Sequence, residues 1–225
     1  MTYKIGVFGS SAGDLKSVLP KANTLGKTLA QQNVIVLTGA AQGLPYEIAS
    51  AAFKHGADVW GYSQFIDAKI EKKILSELDF SIFKKIFYIP KDFEFASNRY
   101  VSKKYRNVTS TANCDAGIII SGRWGSMNEF TNLYDMEKVI GVLTGTGGVA
   151  DELEDLKKKI DKPKNAVVIF NDNPEELVKQ ILIEIEKRKY NNELAKCDDL
   201  VAYLNQFVVR RIEYKIIIGE QEKNI

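Results

Sequence analysis

The sequence has few of the residue types that build metal sites and disulfide frameworks. It contains two cysteines, Cys114 and Cys197, and one histidine, His55. These numbers exclude a His-rich metal site, and the cysteine spacing fits neither a zinc site nor a disulfide framework. No apolar run approaches the roughly 18–20 residues that span a bilayer, and the first residues lack the pattern of a signal peptide.

The chain also lacks a large excess of either charge sign. Its net charge of +2 supplies no basic field for nucleic acid. The hydrophobic fraction of 45% and the charged fraction of 27% are those of an ordinary globular protein. Together these absences predict a cytoplasmic enzyme or binding protein. They predict no metal, no cofactor, no nucleic-acid partner and no membrane partner.

Short apolar runs alternate with helical patterns along the chain. Strands are predicted at Lys4–Phe8, Val34–Leu37, Asp58–Tyr62, Lys85–Tyr88, Ala116–Ser121, Val139–Leu143 and Ala166–Phe170. Helices are predicted at Leu15–Gln31, Pro45–Lys54, Phe93–Asn113, Ser126–Met136, Asp151–Ile160 and Pro174–Lys189. Strands that are apolar on both faces and alternate with helices form parallel sheets. The expected fold is therefore α/β, a doubly wound, Rossmann-like, mainly parallel sheet of about seven strands with helices on both faces.

Two regions differ in character along the chain. Residues 1–190 carry the alternating pattern and are expected to form one domain. A polar break, "KRKYNNELAKCDDL", precedes the apolar stretch "LVAYLNQFVVRRIEYKIII". Because that stretch is too apolar for a loose terminus, residues 191–225 are expected to pack on the domain or on a partner subunit.

Three glycine-bearing turns follow predicted strands, at the edge where open α/β sheets bind ligands. They are "GVFGSSAGD" with Gly9 and Ser10, "LTGAAQGLP" with Gly39 and Gly43, and "SGRWGSMNE" with Gly122 and Gly125. The first lacks the G-x-G-x-x-G spacing, and the second strand ends without the acid that holds a dinucleotide ribose. A Walker A loop is absent as well, so NAD and P-loop functions are excluded. Each turn taken singly could be purely structural, since strand–helix turns use glycine for tight geometry.

The third turn favours a smaller phosphate ligand. Gly122 and Gly125 allow close backbone approach, and Ser126 lies where the next helix presents free N–H groups. The structural alternative is that Ser126 caps the helix and Glu129, three residues later, closes a capping box. The motif alone does not separate the two.

The same stretch resembles a known family. Ser121 to Glu129 is similar, position by position, to the P-G-G-x-G-T-x-x-E loop of LOG-type proteins in the SLOG nucleotide-binding superfamily, and Arg106–Asn107 precedes Gly122 by sixteen residues, as in that family. The resemblance implies cleavage of the N-glycosidic bond of a nucleoside 5′-monophosphate, with Glu129 and Arg106 catalytic. It also implies a homodimer or larger homo-oligomer. The implied nucleotide-binding residues are Gly9, Ser10, Gly39, Gly43, Asn107, Gly122, Arg123, Gly125 and Ser126.

The chain departs from the family pattern at several positions. Arg123 replaces a glycine, Ser121 a proline and Ser126 a threonine, and Ala40–Ala41 stand where glycines are usual. Pairing with Arg106 is expected to lower the pKa of Glu129 and keep it ionised. Two alternatives stay open. The pair could be a plain interhelix salt bridge, or the protein could bind a nucleotide without cleaving it.

Other polar residues are given lesser roles. His55 is expected to be a cation at a helix end before a glycine cap, and Cys114 a buried small side chain. Asn98 and Arg99 lie about two helical turns before Arg106 on roughly the same face. They are expected either to reach the site or to lie on the surface.

Overall fold

A seven-stranded sheet forms the centre of the protein, and the computed structural model describes residues 2–11, 15–160, 165–191 and 193. The strands are β1 (Lys4–Gly9), β2 (Ile35–Gly39), β3 (Asp58–Tyr62), β4 (Lys85–Phe87), β5 (Ala116–Ile120), β6 (Val139–Leu143) and β7 (Val167–Asn171). The helices are α1 (Leu19–Gln31), α2 (Leu44–Lys54), α3 (Ala68–Ile74), α4 (Arg99–Asn113), α5 (Trp124–Asp135), α6 (Val149–Lys159) and α7 (174–191), with a 3₁₀ turn at Phe80–Ile82.

The strands lie in the order β4-β3-β2-β1-β5-β6-β7, and every neighbouring pair is parallel. This confirms the predicted doubly wound α/β fold with helices on both faces. The order reverses at β1, because β2 to β4 extend the sheet on one side of it and β5 to β7 on the other. In such a sheet the crevice at the carboxyl end of the strands, at this reversal, is where ligands bind.

The central strands are the most deeply buried. Every residue of β5 and β6 is buried, as both-face burial in a parallel sheet requires. Leu133 of α5 packs so closely on β5 that a Cβ on Gly117 would overlap its side chain. Helix α5 is therefore held directly against the strand that leads into it.

Two helices, α1 and α4, begin later than their sequence patterns predict, and a proline or a capping residue explains each start. Helix α1 begins at Leu19 with Pro20 in its first turn, a position proline favours because no N–H is needed there. Helix α4 begins at Arg99, since the Asn98 side chain accepts from the backbone N–H groups of the next turn. Helix α3, which was not predicted, is short and starts at the cap Asp67.

Two compact units make up the chain, Met1–Ile183 and Glu184–Ile225. In the second unit residues 184–191 are helical. Apart from residues 191 and 193, the predicted extension at 191–225 lies outside the described residues. Within the part of the chain that the structure describes, no helix is long and apolar enough to cross a membrane.

Candidate functional site

A cleft of about 460 Å³ opens at the carboxyl ends of β1, β2 and β5. The structure brings nine of the eleven predicted site residues to its walls: Gly9, Ser10, Gly39, Arg106, Asn107, Arg123, Gly125, Ser126 and Glu129. Gly43 and Gly122 do not line it. The cleft therefore lies at the reversal of strand order, where the fold is expected to bind a ligand.

The turn after β5 has an unusual backbone. Ser121 has φ +51° and Gly122 φ +101°, and a Cβ on Gly122 would lie 2.5 Å from the Cβ of Ser126. The N–H of Ser121 donates to the Thr146 hydroxyl at 2.8 Å. A proline at position 121, usual in the LOG pattern, could neither adopt this φ nor supply this N–H. The backbone conformation and the hydrogen bond of this turn therefore explain why position 121 is serine and not proline.

Helix α5 begins at Trp124, two residues earlier than predicted. Arg123 is its N-cap residue in an extended conformation (φ −134°), and its side chain makes no capping hydrogen bond. Ser126 is consequently the third residue inside the helix. The capping-box alternative for Ser126 and Glu129 is wrong, because neither residue occupies the position that motif requires. The first N–H groups of α5 have no partner within the helix.

The two loop glycines differ in their surroundings. Gly122 is needed for its positive φ and for close contact with Ser126, which is only 2% exposed. Gly125 is exposed, and no heavy atom lies within 4 Å of the position its Cβ would take. Gly125 therefore leaves open space over the start of α5, where an anion would meet the free N–H groups and the positive end of the helix dipole.

The deepest charged groups in the cleft are Arg106 on α4 and Glu129 on α5. Arg106 Nη2 lies 3.6 Å from Glu129 Oε1, and both side chains are largely buried. Arg106 Nη2 and Nε also donate to Asn107 Oδ1 at 2.7 and 3.2 Å. Asn107 Nδ2 in turn donates to Asn128 Oδ1 at 3.1 Å. This network ties the two helices together and fixes the direction of the guanidinium group.

Burial controls the protonation of Glu129. It raises the pKa of Glu129 to about 7, while Arg106, and to a lesser extent two lysines of α4, lower it. Arg106 thus lowers the pKa of Glu129, as expected, but the expectation that this keeps Glu129 ionised is wrong, because desolvation outweighs the arginine. Burial lowers the pKa of Arg106, and the nearby Glu129 partly offsets this effect by raising it.

The glycines after β1 and β2 serve packing. A Cβ on Gly39 would lie 2.8 Å from Arg106 Nη1, so the guanidinium rests directly over this glycine. A Cβ on Gly9 would overlap the carbonyl oxygen of Ile120 in the neighbouring strand. Gly43 is the N-cap residue of α2 with φ +111° and lies against Ser11. The second turn thus positions the catalytic candidate Arg106, and Gln42 of the same turn lines the cleft.

Some cleft residues were not singled out from the sequence. Lys103 of α4, Gln64 after β3 and Trp124 all line the cleft. Arg99, left open between site and surface, lies in the cleft wall, while its neighbour Asn98 is the cap of α4. The spacing of Arg99, Lys103 and Arg106 along one helix was the available signal. Gln64 carried none.

His55 and Cys114, the other residues considered from the sequence, have structural roles outside the cleft. His55 is the C-cap residue of α2 and precedes Gly56 at φ +92°, as predicted. Cys114 is buried, as predicted, and burial raises the pKa of its thiol to about 12. Within the described residues, no group of three or more His, Cys, Asp or Glu side chains could hold a metal ion.

The sequence matches one protein family over most of its length. Residues 2–178 match the SLOG cluster4 family. No curated protein matches the chain.

Solved structures share the fold at low sequence identity. The protein TM1055 has a TM-score of 0.66 at 20% identity, covering 80% of this chain and 98% of its own. The molybdenum cofactor carrier protein of Chlamydomonas reinhardtii has a TM-score of 0.58 at 17% identity, covering 81% and 99%. DNA processing protein A of Helicobacter pylori, which binds single-stranded DNA, has 0.53 at 18%, covering 81% of both chains. The prediction that nucleic acid is no partner gains no support from this group.

Proposed function

The chain belongs to the SLOG cluster4 family, and from this premise we propose that it is a nucleoside 5′-monophosphate phosphoribohydrolase of the LOG type. The nucleotide would place its 5′-phosphate at the start of α5, against Gly125 and Ser126. Its glycosidic bond would then lie beside Glu129. The products are the free base and ribose 5-phosphate.

The observation that carries this proposal is the buried pair of Arg106 and Glu129 in the wall of the cleft. Glu129 follows Ser126 by three residues on α5, so the two lie on the same side of the helix. A carboxylate is thereby placed one helical turn from the expected phosphate. Burying two charges is expensive unless they are paired, and a pair with a structural role alone has no need to face an open cleft.

The chemistry assigns a role to each of these groups. As the bond from C1′ to the base nitrogen breaks, its electron pair goes to the nitrogen and the ribose becomes positively charged. The Glu129 carboxylate stabilises that charge and accepts a proton from the water whose oxygen bonds to C1′. With a pKa of about 7, Glu129 can then return the proton to the departing base. Arg106 holds the carboxylate in position.

A second candidate is a protein that binds a nucleotide without cleaving it. Arg123 favours this alternative, because it places an exposed cation at the N-cap of α5 where LOG-type enzymes have glycine. Such a charge strengthens ground-state binding of a phosphate without aiding bond cleavage. The fold accommodates both activities.

The test is release of ribose 5-phosphate from a panel of nucleoside 5′-monophosphates by the wild type and by Glu129→Gln. The substitution keeps the shape of the side chain and removes its charge. Losing one such electrostatic contact lowers kcat by about 10²–10³, whereas the dissociation constant of the monophosphate should change by less than about threefold, since the phosphate is held elsewhere. Arg106→Ala should also lower kcat.

A matched control is Glu71→Gln, which changes a fully buried glutamate outside the walls of the cleft. It should turn over substrate like the wild type. If the wild type binds a monophosphate but releases no base from any of the panel, the alternative function replaces the hydrolase. If no nucleotide binds, both fail.

A further inference from the structure

Positive charge accumulates in the cleft. Four cationic side chains, Arg99, Lys103, Arg106 and Arg123, line it, and among the described residues only one carboxylate, Glu129, faces them. The excess is three positive charges, although the whole chain carries a net charge of only +2. The cleft is therefore built for a ligand with several negative charges.

The cations occupy two levels of α4. Arg99, Lys103 and Arg106 are spaced by four and three residues, so they share one face of the helix. Arg106, the deepest, is engaged by Glu129 and Asn107. At 1.5 Å per residue, Arg99 lies about 10 Å further along the helix axis, toward its N-terminus. Arg99 and Lys103 are exposed, and neither makes an ion pair within the described residues.

Repulsion between these groups is felt at Lys103. Desolvation by the surrounding protein lowers the pKa of its ammonium group, and the nearby Arg106, Arg99 and Arg123 lower it further, while Glu129 acts in the opposite direction. Lys103 thus lacks a counter-ion at the mouth of the cleft. A bound anion would remove the repulsion.

We propose that Arg99 and Lys103 form a second anion subsite that binds a second phosphoryl group of the nucleotide. This inference rests on the proposed function, in which the first phosphate lies at the start of α5. A monophosphate carries about two negative charges, which leaves part of the cationic excess unbalanced. A nucleoside 5′-diphosphate or 3′,5′-bisphosphate brings at least about one more.

The compact arrangement favours a small ligand over a nucleic acid. The cations converge on a single cleft of about 460 Å³. Proteins that bind single-stranded nucleic acid instead have an extended cationic groove that contacts many phosphates. The remainder of the chain is close to neutral.

The test is calorimetric titration with inorganic phosphate, pyrophosphate, and the mono-, di- and 3′,5′-bisphosphates of adenosine, guanosine, cytidine and uridine. We expect the wild type to bind pyrophosphate, and one of the two doubly phosphorylated series, at least about tenfold more tightly than the singly phosphorylated probe, as a charge-assisted contact provides. Arg99→Ala and Lys103→Ala should each remove most of that gain. Affinity for the monophosphate should stay within about twofold.

Lys104→Ala is the matched control, because Lys104 is an exposed cation of the same helix that, like Lys103, lowers the pKa of Glu129 but does not line the cleft. It should retain the full gain, and Lys103→Arg should retain most of it. Equal affinity for one and two phosphates overturns the inference and leaves the proposed function standing. If no nucleotide binds, the proposed function fails as well. A single-stranded oligonucleotide that binds more tightly than every mononucleotide, and loses affinity in Arg99→Ala, also overturns it.

Discussion

At the scale of single residues, Glu129 shows two opposed influences on one carboxyl group. Its position against α4 removes it from water, which disfavours the charged form, while Arg106 at 3.6 Å favours that form. The result is a pKa of about 7 in place of the ordinary 4.5. Such a group can give and take a proton near neutral pH, which suits acid–base chemistry better than a carboxylate fixed in its charged form.

This pKa predicts how stability depends on pH. Between pH 4.5 and about 7 the folded protein keeps the Glu129 proton that the unfolded chain releases. The contribution of Glu129 to the free energy of unfolding is therefore fully present at low pH and falls as pH rises through this window. Denaturant titrations should show the wild type losing on the order of 1–3 kcal/mol relative to Glu129→Gln between about pH 4.5 and 8. Parallel pH curves for the two proteins would contradict the raised pKa.

At the scale of elements, the two glycines at the start of α5, Gly122 and Gly125, have different roles. The fold itself requires glycine at position 122, because φ is +101° and Ser126 lies in close contact. No packing contact requires glycine at position 125, since a Cβ there would lie in open space. Only the second glycine has surroundings that a ligand explains.

A pair of alanine substitutions tests this distinction. Gly122→Ala should lower the free energy of unfolding by about 1–3 kcal/mol, because alanine is strained at positive φ and meets Ser126. Gly125→Ala should leave stability unchanged or raise it by up to about 1 kcal/mol, since alanine favours the helix. Its Cβ should nevertheless weaken monophosphate binding by at least about tenfold, because it fills the space over the free N–H groups. Thermal melts and calorimetry measure the two quantities, and unchanged affinity in Gly125→Ala would place the phosphate elsewhere.

Sequence patterns predicted the elements better than their ends. All seven strands were found. Those buried on both faces, such as β5 and β6, are apolar throughout and are therefore readily recognised. The start of α5 was misplaced because the S-x-x-E spacing imitates a capping box, while the real N-cap residue, Arg123, carries no capping signal. The raised pKa of Glu129 was missed for a related reason, since burial against α4 is a tertiary property that local sequence does not contain.

At the scale of the whole molecule, charge is segregated. The four cations of the cleft and Glu129 account for an excess of three positive charges, against a net charge of +2 for the entire chain. The overall charge therefore conceals the electropositive cleft, which appears only when the fold brings α4 and the start of α5 together. Composition gives the net charge of the chain, but it contains no information about a local basic site.

This segregation predicts that binding depends on salt through the cleft alone. Screening shortens the reach of a charge from about 10 Å at 0.1 M salt to about 3 Å at 1 M. Across that range the affinity for whichever doubly phosphorylated nucleotide binds more tightly should fall by about tenfold or more, because several cations act on the ligand together. The Arg99→Ala/Lys103→Ala double variant should show a clearly shallower dependence, while Lys104→Ala should match the wild type. Equal slopes in all three proteins would mean that Arg99 and Lys103 do not act on the bound ligand, and that its charge is balanced at the start of α5 and by Arg106 alone.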